Sequence, residues 1–314
     1  MKKASKNKTI TASVIAVIVL LISAIFTFSP KHLWKKIIGS TDPGTVAVSQ
    51  VQGSEAANQP LSVHYIDVGQ GDSTLIRFEN YNILIDCAKK AEAQNVYDYL
   101  EQLEVDHLDL AIATHPDADH IGGFAELINR VKPDLYLLPQ LPDSIKKTQT
   151  ELTLLNTLRT MKVKTEYAVN AKEYHFGDLI LTTYITEQIH EDKNDYSIVT
   201  HIRYKNASYL FMGDAGKKVE NELMSAGCPL QADVLKAGHH GSSKSTSMKF
   251  VKYVLARYCV FSCGLDNEYG HPHSEVLQIM KKQKINCYRT DESGTVVIGT
   301  NGNQYSISTE KSAA

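Results

Sequence analysis

The sequence has few cysteines, and their placement excludes a disulfide-stabilised scaffold. There are five cysteines among 314 residues, an odd number, and no Cys-x2-Cys motif occurs. Cys259 and Cys263 are separated by three residues, which is not the spacing of a zinc knuckle. Four of the five lie in apolar contexts typical of buried thiols. The sequence therefore predicts no disulfide framework.

Acidic residues are absent from the first 36 positions, which contain seven lysines. The remaining 26 basic residues face 35 acidic ones, so the rest of the chain carries a charge of about −9 although the formal net charge is −2. An acidic body argues against a protein that coats nucleic acid by bulk electrostatics. A polyanionic substrate would have to be held by bound metal and local lysines.

Residues 10–28 contain no charged side chain. A helix of this length spans roughly 28 Å, close to the hydrocarbon core of a bilayer. Lysines precede the segment, which favours a cytoplasmic N-terminus. We predict a membrane anchor in residues 1–29, and hence a single-pass protein of the cell membrane whose body lies outside the cytoplasm. The alternative is a cleaved signal peptide and a secreted protein. The missing small-x-small cleavage site favours the anchor.

The rest of the chain divides by composition. Residues 30–60 are rich in small and polar side chains and are predicted to be a flexible linker. Residues 61–308 are predicted to form one domain, and residues 309–314 a disordered tail. Within the domain, an early and a late group of strands are each followed by helices. Two sheets with helices outside fit this order better than one doubly wound parallel sheet.

The densest cluster of ionisable side chains follows the apolar run 108–113. It consists of His115, Asp117, Asp119 and His120, and Ile121 and then Gly122-Gly123 follow it. Imidazoles and carboxylates at this spacing are typical of a divalent-metal hydrolase. Asp119 and His120 are placed to bind one ion and His115 and Asp117 a neighbouring ion, with the two ions about 3.5 to 4 Å apart.

Two later strands end in residue types that complete such a site. The run Tyr209-Leu-Phe-Met ends in Gly213-Asp214, so that a carboxylate lies at a strand end, although Gly-Asp is also typical of a turn or a helix cap. The second strand runs into Gly238-His239-His240-Gly241. His239 is the favoured metal ligand, and His240 is left to bond a substrate oxygen or another ligand.

Several further polar residues are candidates for substrate contact. The loop Tyr269-Gly-His271-Pro-His273 either joins the site or is a helix entry capped by Ser274. The loop from Asp67 to Ser73 either lines the rim of the site or is a plain hairpin turn. Lysines 236, 244 and 249 either contact a phosphate chain or are solvated. The predicted substrate-binding residues are Gln70, Asp72, His240, Ser242 and Lys244.

Taken together, these motifs resemble the metallo-β-lactamase fold superfamily over about residues 61–300. The branch they most resemble is the extracellular domain of the competence DNA-uptake protein ComEC. The resemblance implies an α/β fold, namely an αββα metallo-β-lactamase sandwich of two mixed β-sheets flanked by helices, here with an N-terminal transmembrane helix. The motifs that carry it are Asp67-Val-Gly-Gln-Gly-Asp72, His115-Pro-Asp-Ala-Asp-His120-Ile-Gly-Gly, Gly213-Asp214, His239-His240-Gly-Ser and Tyr269-Gly-His-Pro-His273.

The resemblance also implies how the metal ligands divide. One position is complete, with Asp119, His120, His239 and Asp214. The second uses His115, Asp117 and Asp214, and it departs from the family pattern. Histidine is usual where this chain has Asp117, and the usual later histidine has no counterpart in residues 194–197. The cofactor is therefore expected to be one or two divalent ions, Zn²⁺ or Mn²⁺, with oxygen-rich ligation favouring Mn²⁺.

These features predict metal-dependent hydrolysis of a phosphodiester, with DNA as the first substrate to consider. Asp117 or Asp119 would orient the attacking water, and His271 or His273 would stabilise or protonate the leaving oxygen. One alternative is an esterase for cell-wall phosphorylcholine or another small ester. A second is a non-catalytic binding module tethered to the membrane. The departures from the lactam-cleaving histidine pattern disfavour a β-lactamase.

Overall fold

The computed structural model describes residues 54–311. The predicted membrane helix in residues 1–29 lies outside the described residues, as do most of the predicted linker and part of the predicted tail. Of the helices within 54–311, none has the length and apolar character needed to cross a membrane. At the start of the described range, Ala56 is buried against Val297.

The first sheet has eight strands in the order β15-β14-β1-β2-β3-β4-β5-β6. The strands from β3 to β6 are parallel to one another, and the remaining pairs are antiparallel. Its strands are β1 (Leu61–Tyr65), β2 (Thr74–Phe78), β3 (Tyr81–Ile85), β4 (Leu108–Ile112), β5 (Pro133–Leu138), β6 (Lys164–Tyr167), β14 (Val296–Thr300) and β15 (Tyr305–Thr309).

The second sheet has seven strands in the order β13-β12-β11-β10-β9-β8-β7. Strands β10 to β13 are parallel, and β7 to β10 are antiparallel. Its strands are β7 (Lys172–Phe176), β8 (Leu179–Tyr184), β9 (Val199–Tyr204), β10 (Ala207–Phe211), β11 (Val234–Lys236), β12 (Tyr258–Phe261) and β13 (Asn286–Arg289).

The helices cover the outer faces of both sheets. Those in residues 93–160 pack on the first sheet and those in residues 217–283 on the second. They are α1 (Ala93–Gln102), α2 (Ala118–Ile121), α3 (Phe124–Leu127), α4 (Gln149–Thr160), α5 (Lys217–Ser225), α6 (Met248–Val254), α7 (Ser274–Gln283) and α8 (Thr290–Ser293), with short 3-10 turns at Lys90–Glu92, Lys193–Tyr196 and Gly238–Gly241.

Successive side chains of a strand point to opposite faces of its sheet. The apolar ones form three layers, one between the sheets and one between each sheet and its helices. On β3, Ile83 and Ile85 face the core between the sheets, whereas Leu84 faces the outer helices. The inner core also takes Phe211 and Val260 from the second sheet. Because both faces of the central strands are covered, these strands are continuous apolar runs. The two mixed sheets flanked by helices confirm the predicted sandwich.

Candidate metal centre

The predicted ligands come together at one edge of the paired sheets, where several strands end. Asp86 follows β3, and the segment from Thr114 to His120 follows β4. From the second sheet, Asp214 follows β10, and His239 and His240 follow β11. The carboxyl ends of parallel strands are the usual place for a ligand site in α/β folds. The candidate site is therefore shared by both sheets.

Gly213 allows the two sheets to approach each other closely at this edge. Its φ is +52°, and a Cβ there would lie 2.9 Å from Thr114 Cβ and 3.0 Å from Ser197 Cβ. A larger residue would therefore be strained and would push β10 away from β4. Ser197 Oγ accepts a hydrogen bond of 3.0 Å from the Asp214 amide and fixes the backbone of Asp214.

Asp86 sets the orientation of His120, although the sequence interpretation gave it no role. His120 Nδ1 lies 2.7 Å from Asp86 Oδ2 and donates to it. Thr114 donates to the same carboxylate from its backbone amide at 2.8 Å and from its hydroxyl at 2.7 Å. Since Nδ1 carries the hydrogen-bonded proton, His120 Nε2 points into the site as the ligand atom.

Thr114 holds His115 in the same way. Its hydroxyl lies 3.1 Å from His115 Nδ1, and because that hydroxyl already donates to Asp86, it accepts from the imidazole. His115 Nε2 is thereby left facing the cluster, and it lies 3.8 Å from Asp214 Oδ2. One aspartate and one threonine thus orient both histidines of the first motif.

Four imidazoles converge on Asp214. His120 Nε2 lies 3.3 Å from Oδ1, whereas the Nε2 atoms of His239 and His240 each lie 3.6 Å from Oδ2, and that of His115 lies 3.8 Å from Oδ2. Asp214 is buried, and three of the four histidines are also buried. A carboxylate in the middle of four nitrogens is suited to bridge two ligand positions.

His240 enters the cluster more deeply than the sequence interpretation placed it. Its Nδ1 donates to the Ser262 carbonyl at 3.0 Å, which leaves Nε2 to face Asp119 Oδ2 at 3.3 Å. Asp72 Oδ1 lies 3.3 Å from His240 Nδ1. Asp72, His120, Asp214 and His240 each offer one ligand atom, and these four atoms all lie within 4.8 Å of one another. His240 and Asp72, predicted as substrate contacts, therefore belong to the densest group of ligand atoms.

Lys236 is not a surface residue. It is buried, and its Nζ donates to Asp72 Oδ2 at 2.8 Å and to the Ala237 carbonyl at 3.3 Å. The expectation that it contacts a phosphate chain or is solvated is therefore wrong, because its whole side chain lies inside the fold. Lys249 is bonded to Asn221 on the surface at 3.3 Å.

The charges in the cluster stabilise one another. Burial alone would raise the pKa of Asp214, yet His120, His240 and His115 hold it well below its usual value. Burial likewise opposes ionisation of Asp119, but His240 and His120 lower its pKa to about 2. Against burial, Asp214 and Asp72 raise the pKa of His240 to about 10. The carboxylates are therefore charged, and without a metal ion His120 and His240 retain protons.

The donor set fits a divalent metal. Five buried atoms that face the cluster make no hydrogen bond to any described residue, namely Asp72 Oδ1, His115 Nε2, His120 Nε2, Asp214 Oδ1 and His240 Nε2. Buried polar atoms without partners are costly unless a ligand satisfies them. Nitrogen and carboxylate oxygen are ligands for Zn²⁺ and Mn²⁺ alike.

A lysine pairs with the aspartate predicted for the second ligand position. Asp117 forms an ion pair with Lys193, the first residue of the 3-10 turn Lys193–Tyr196. Its other carboxylate oxygen lies 3.7 Å from His115 Nε2. Despite burial, His115 and Lys193 lower the Asp117 pKa. The sequence interpretation did not include Lys193, because nothing in the local pattern separates it from a solvated lysine.

The two histidines of the loop after β12 differ in what they can offer. His273 Nδ1 accepts from the Ser243 amide at 2.8 Å, so Nε2 donates to the Tyr269 carbonyl at 3.1 Å. Both of its ring nitrogens are therefore used. His271 is mostly buried, and its Nδ1 has no hydrogen bond to any described residue. Burial and the neighbouring His240 lower the pKa of His271 to about 4.

The remaining predicted contacts lie around this cluster. Gln70 Oε1 accepts from the Gly264 amide at 3.1 Å and so ties two loops together. Ser242 Oγ accepts from the Lys244 amide at 3.3 Å. Because the side chain of Gln70 and the hydroxyl of Ser242 bond neighbouring backbone, both residues shape the site. Whether they also touch substrate remains a prediction.

Comparison with known proteins identifies the family. The family described as "Metallo-beta-lactamase superfamily" matches residues 66–264. Two solved structures share the fold. The metallo-beta-lactamase fold protein YhfI from Bacillus subtilis is 12% identical, with a TM-score of 0.50 over 74% of this chain and 96% of that chain. CmlA, a diiron beta-hydroxylase from Streptomyces venezuelae, is 14% identical, with a TM-score of 0.53 over 74% and 53%.

Proteins related in sequence give a more specific resemblance than the superfamily. ComE operon protein 3 of Bacillus subtilis is 29% identical over 259 residues, which cover 74% of this chain and 32% of that protein. Competence protein ComA of Neisseria gonorrhoeae is 29% identical over 236 residues, which cover 74% and 31%. The chain thus spans about a third of the length of these relatives. The predicted resemblance is confirmed, and the chain belongs to the metallo-β-lactamase superfamily.

Proposed function

We propose that this chain is a metal-dependent phosphodiesterase that cleaves DNA. The observation that carries the proposal is the group of buried nitrogen and oxygen atoms around Asp214 that make no hydrogen bond to any described residue. The similarity to competence proteins supports nucleic acid as the substrate. A divalent ion bound here would supply a water of lowered pKa and neutralise charge on the phosphoryl group.

The chain's own residues have distinct tasks in such a reaction. Asp119 keeps a quarter of its side chain exposed, so it faces the opening of the site and can orient the attacking water. His271 is neutral near pH 7, because its pKa is about 4. It is therefore suited to donate a hydrogen bond to the leaving oxygen and not to act as a strong acid. His273 positions the loop that carries His271.

We also propose that residues 1–29 anchor the protein in the cell membrane with the domain outside the cytoplasm. The support is the charge-free segment 10–28 and the lysines that precede it. A salt titration distinguishes DNA from a small phosphorylcholine-type ester, because cleavage that tracks many phosphates weakens steeply with salt.

The test is hydrolysis of labelled single- and double-stranded oligonucleotides by the full chain with Mn²⁺, Zn²⁺ or a chelator. We expect cleavage with metal and none with chelator. Asp119→Ala should abolish cleavage while the fold is retained, whereas Asp98→Asn, in α1, should leave cleavage unchanged. If the full chain neither binds a divalent ion nor cleaves either substrate, the chain is the non-catalytic binding module instead.

A further inference from the structure

A stack of aromatic rings leads from the candidate metal centre to the surface. The His240 and His271 rings are stacked, with centroids 6.1 Å apart and planes at 29°. The Tyr269 ring stacks on His271 in turn, with centroids 5.6 Å apart and planes at 23°. Tyr269 is 54% exposed. A large apolar ring at the mouth of a polar site is thus fixed in line with the buried imidazoles.

The exposure of Tyr269 does not come from a loose loop. Asn267 Nδ2 donates to the carbonyls of Gly264 at 2.9 Å and His271 at 2.7 Å, and Asn267 Oδ1 accepts from the His271 amide at 2.9 Å. The Tyr269 carbonyl accepts from His273 at 3.1 Å. Because the backbone is held on both sides, a ligand that stacks on the ring pays little entropy to order it.

The charges around the ring decide what kind of group it accepts. Glu268, Asp119 and Asp117 all raise the pKa of the Tyr269 phenol, so it is neutral at ordinary pH and lies within a negative field. That field repels a phosphate placed beside the ring. The flat face of a neutral base is not repelled, and every nucleobase has such a face.

We infer that Tyr269 is the stacking platform for the nucleobase next to the phosphate that the metal centre cleaves. The inference rests on the proposed function and deepens it, because it names the substrate class. A base inside a duplex has both faces covered, so the platform selects single-stranded DNA or an unpaired end. A phosphorylcholine ester carries no such ring.

The test compares Tyr269→Ala and Tyr269→Phe in the full chain with Mn²⁺. The substrates are an oligothymidylate and an oligomer of the same length with abasic sugars. We expect Tyr269→Ala to lower the ratio of kcat/KM for the two substrates about tenfold or more, whereas Tyr269→Phe keeps the ratio. Leu265→Ala is the matched control, because Leu265 is 73% exposed in the same loop and has no place in the stack.

A ratio unchanged in Tyr269→Ala would overturn the inference while leaving the proposed function intact. A second readout does not need hydrolysis. Quenching of 2-aminopurine in a single-stranded oligonucleotide by the full chain in chelator should be lost in Tyr269→Ala and kept in Tyr269→Phe. If the wild-type chain cleaves nothing but quenches through Tyr269, the proposed function fails, whereas base stacking on Tyr269 stands. Quenching unaffected by Tyr269→Ala would reject the platform.

Discussion

Asp86 Oδ2 accepts a hydrogen bond of 2.7 Å from His120 Nδ1, and this bond determines which nitrogen of His120 faces the metal centre. Asp86 itself has φ of +59°, so the chain turns sharply as it leaves β3 to place the carboxylate there. Asparagine is among the few residues that adopt this backbone conformation readily. The charge can therefore be removed with little change in shape.

Asp86→Asn should weaken metal binding about 10- to 100-fold. The Asp86 carboxylate orients His120 and makes its imidazole more basic, and a neutral amide does both less well. The measurement is a competition titration of the full chain against a chromophoric chelator with Zn²⁺ and Mn²⁺. Asp98→Asn is the control, because Asp98 lies within α1, where its carboxylate accepts a hydrogen bond from Gln94. Equal affinities for Asp86→Asn and the wild type would show that His120 needs no such support.

Asp72 and Lys236 should be coupled in the free energy of unfolding. Both are buried, and the Nζ–Oδ2 distance is 2.8 Å, so removing one partner leaves a buried charge without its counterion. Asp72→Asn and Lys236→Met should each cost about 3–5 kcal/mol. The double variant should cost clearly less than the sum. Urea unfolding of the wild type, the two single variants and the double variant in chelator measures these free energies. Strictly additive losses of unfolding free energy would contradict the pairing.

Metal affinity should rise with pH through the neutral range. The neighbouring carboxylates raise the pKa of His240 to about 10 and that of His120 well above its usual value. Both imidazoles therefore carry a proton below those values, and a metal ion must displace it. For each proton that the metal displaces, metal affinity rises by up to about tenfold per pH unit. Calorimetry in two buffers of different ionisation enthalpy should show proton release. Binding independent of pH would refute the charge arrangement.

Lys193→Ala should strengthen binding of a second ion. The lysine pairs with Asp117, and because their side chains are 34% and 24% exposed, the ion pair contributes at most about 1 kcal/mol. We expect an affinity gain of up to about fivefold at the second position, measured as bound Mn²⁺ per chain in equilibrium dialysis. Lys249→Ala is the control, because it also removes one lysine charge from the surface. No gain over that control would mean that Lys193 does not compete with metal.

The strongest periodic segments and the metal-loop motif could be recognised in the sequence, but two of the four edge strands, β7 and β15, could not. Strand β7 reads Lys-Glu-Tyr-His-Phe, and only Tyr174 and Phe176 are apolar, so its alternation is too short to mark a strand in the sequence. Strand β15 is half-buried throughout and follows a polar turn. Both pair with only one neighbour, and for that reason their pattern is weak.

Within the site, ligand-rich motifs were visible while their supports were not. Asp86 is one aspartate at the end of a strand, and only the chain crossing from β3 to β4 brings it to His120. Lys236 looks like any lysine near a loop, yet its partner Asp72 is 164 residues away along the chain. Long-range pairing of single charged residues leaves no local trace in a sequence.

The candidate metal centre takes its side chains from both sheets, since His115 and His120 follow strands of the first sheet and Asp214, His239 and His240 follow strands of the second. A bound ion would therefore clamp the two halves of the sandwich at the edge where their strands end. Unfolding either half would release the ion, so binding adds its free energy to the folded state as a whole. In surroundings poor in metal the protein would lose more than activity, because the same event would expose the chain to proteases.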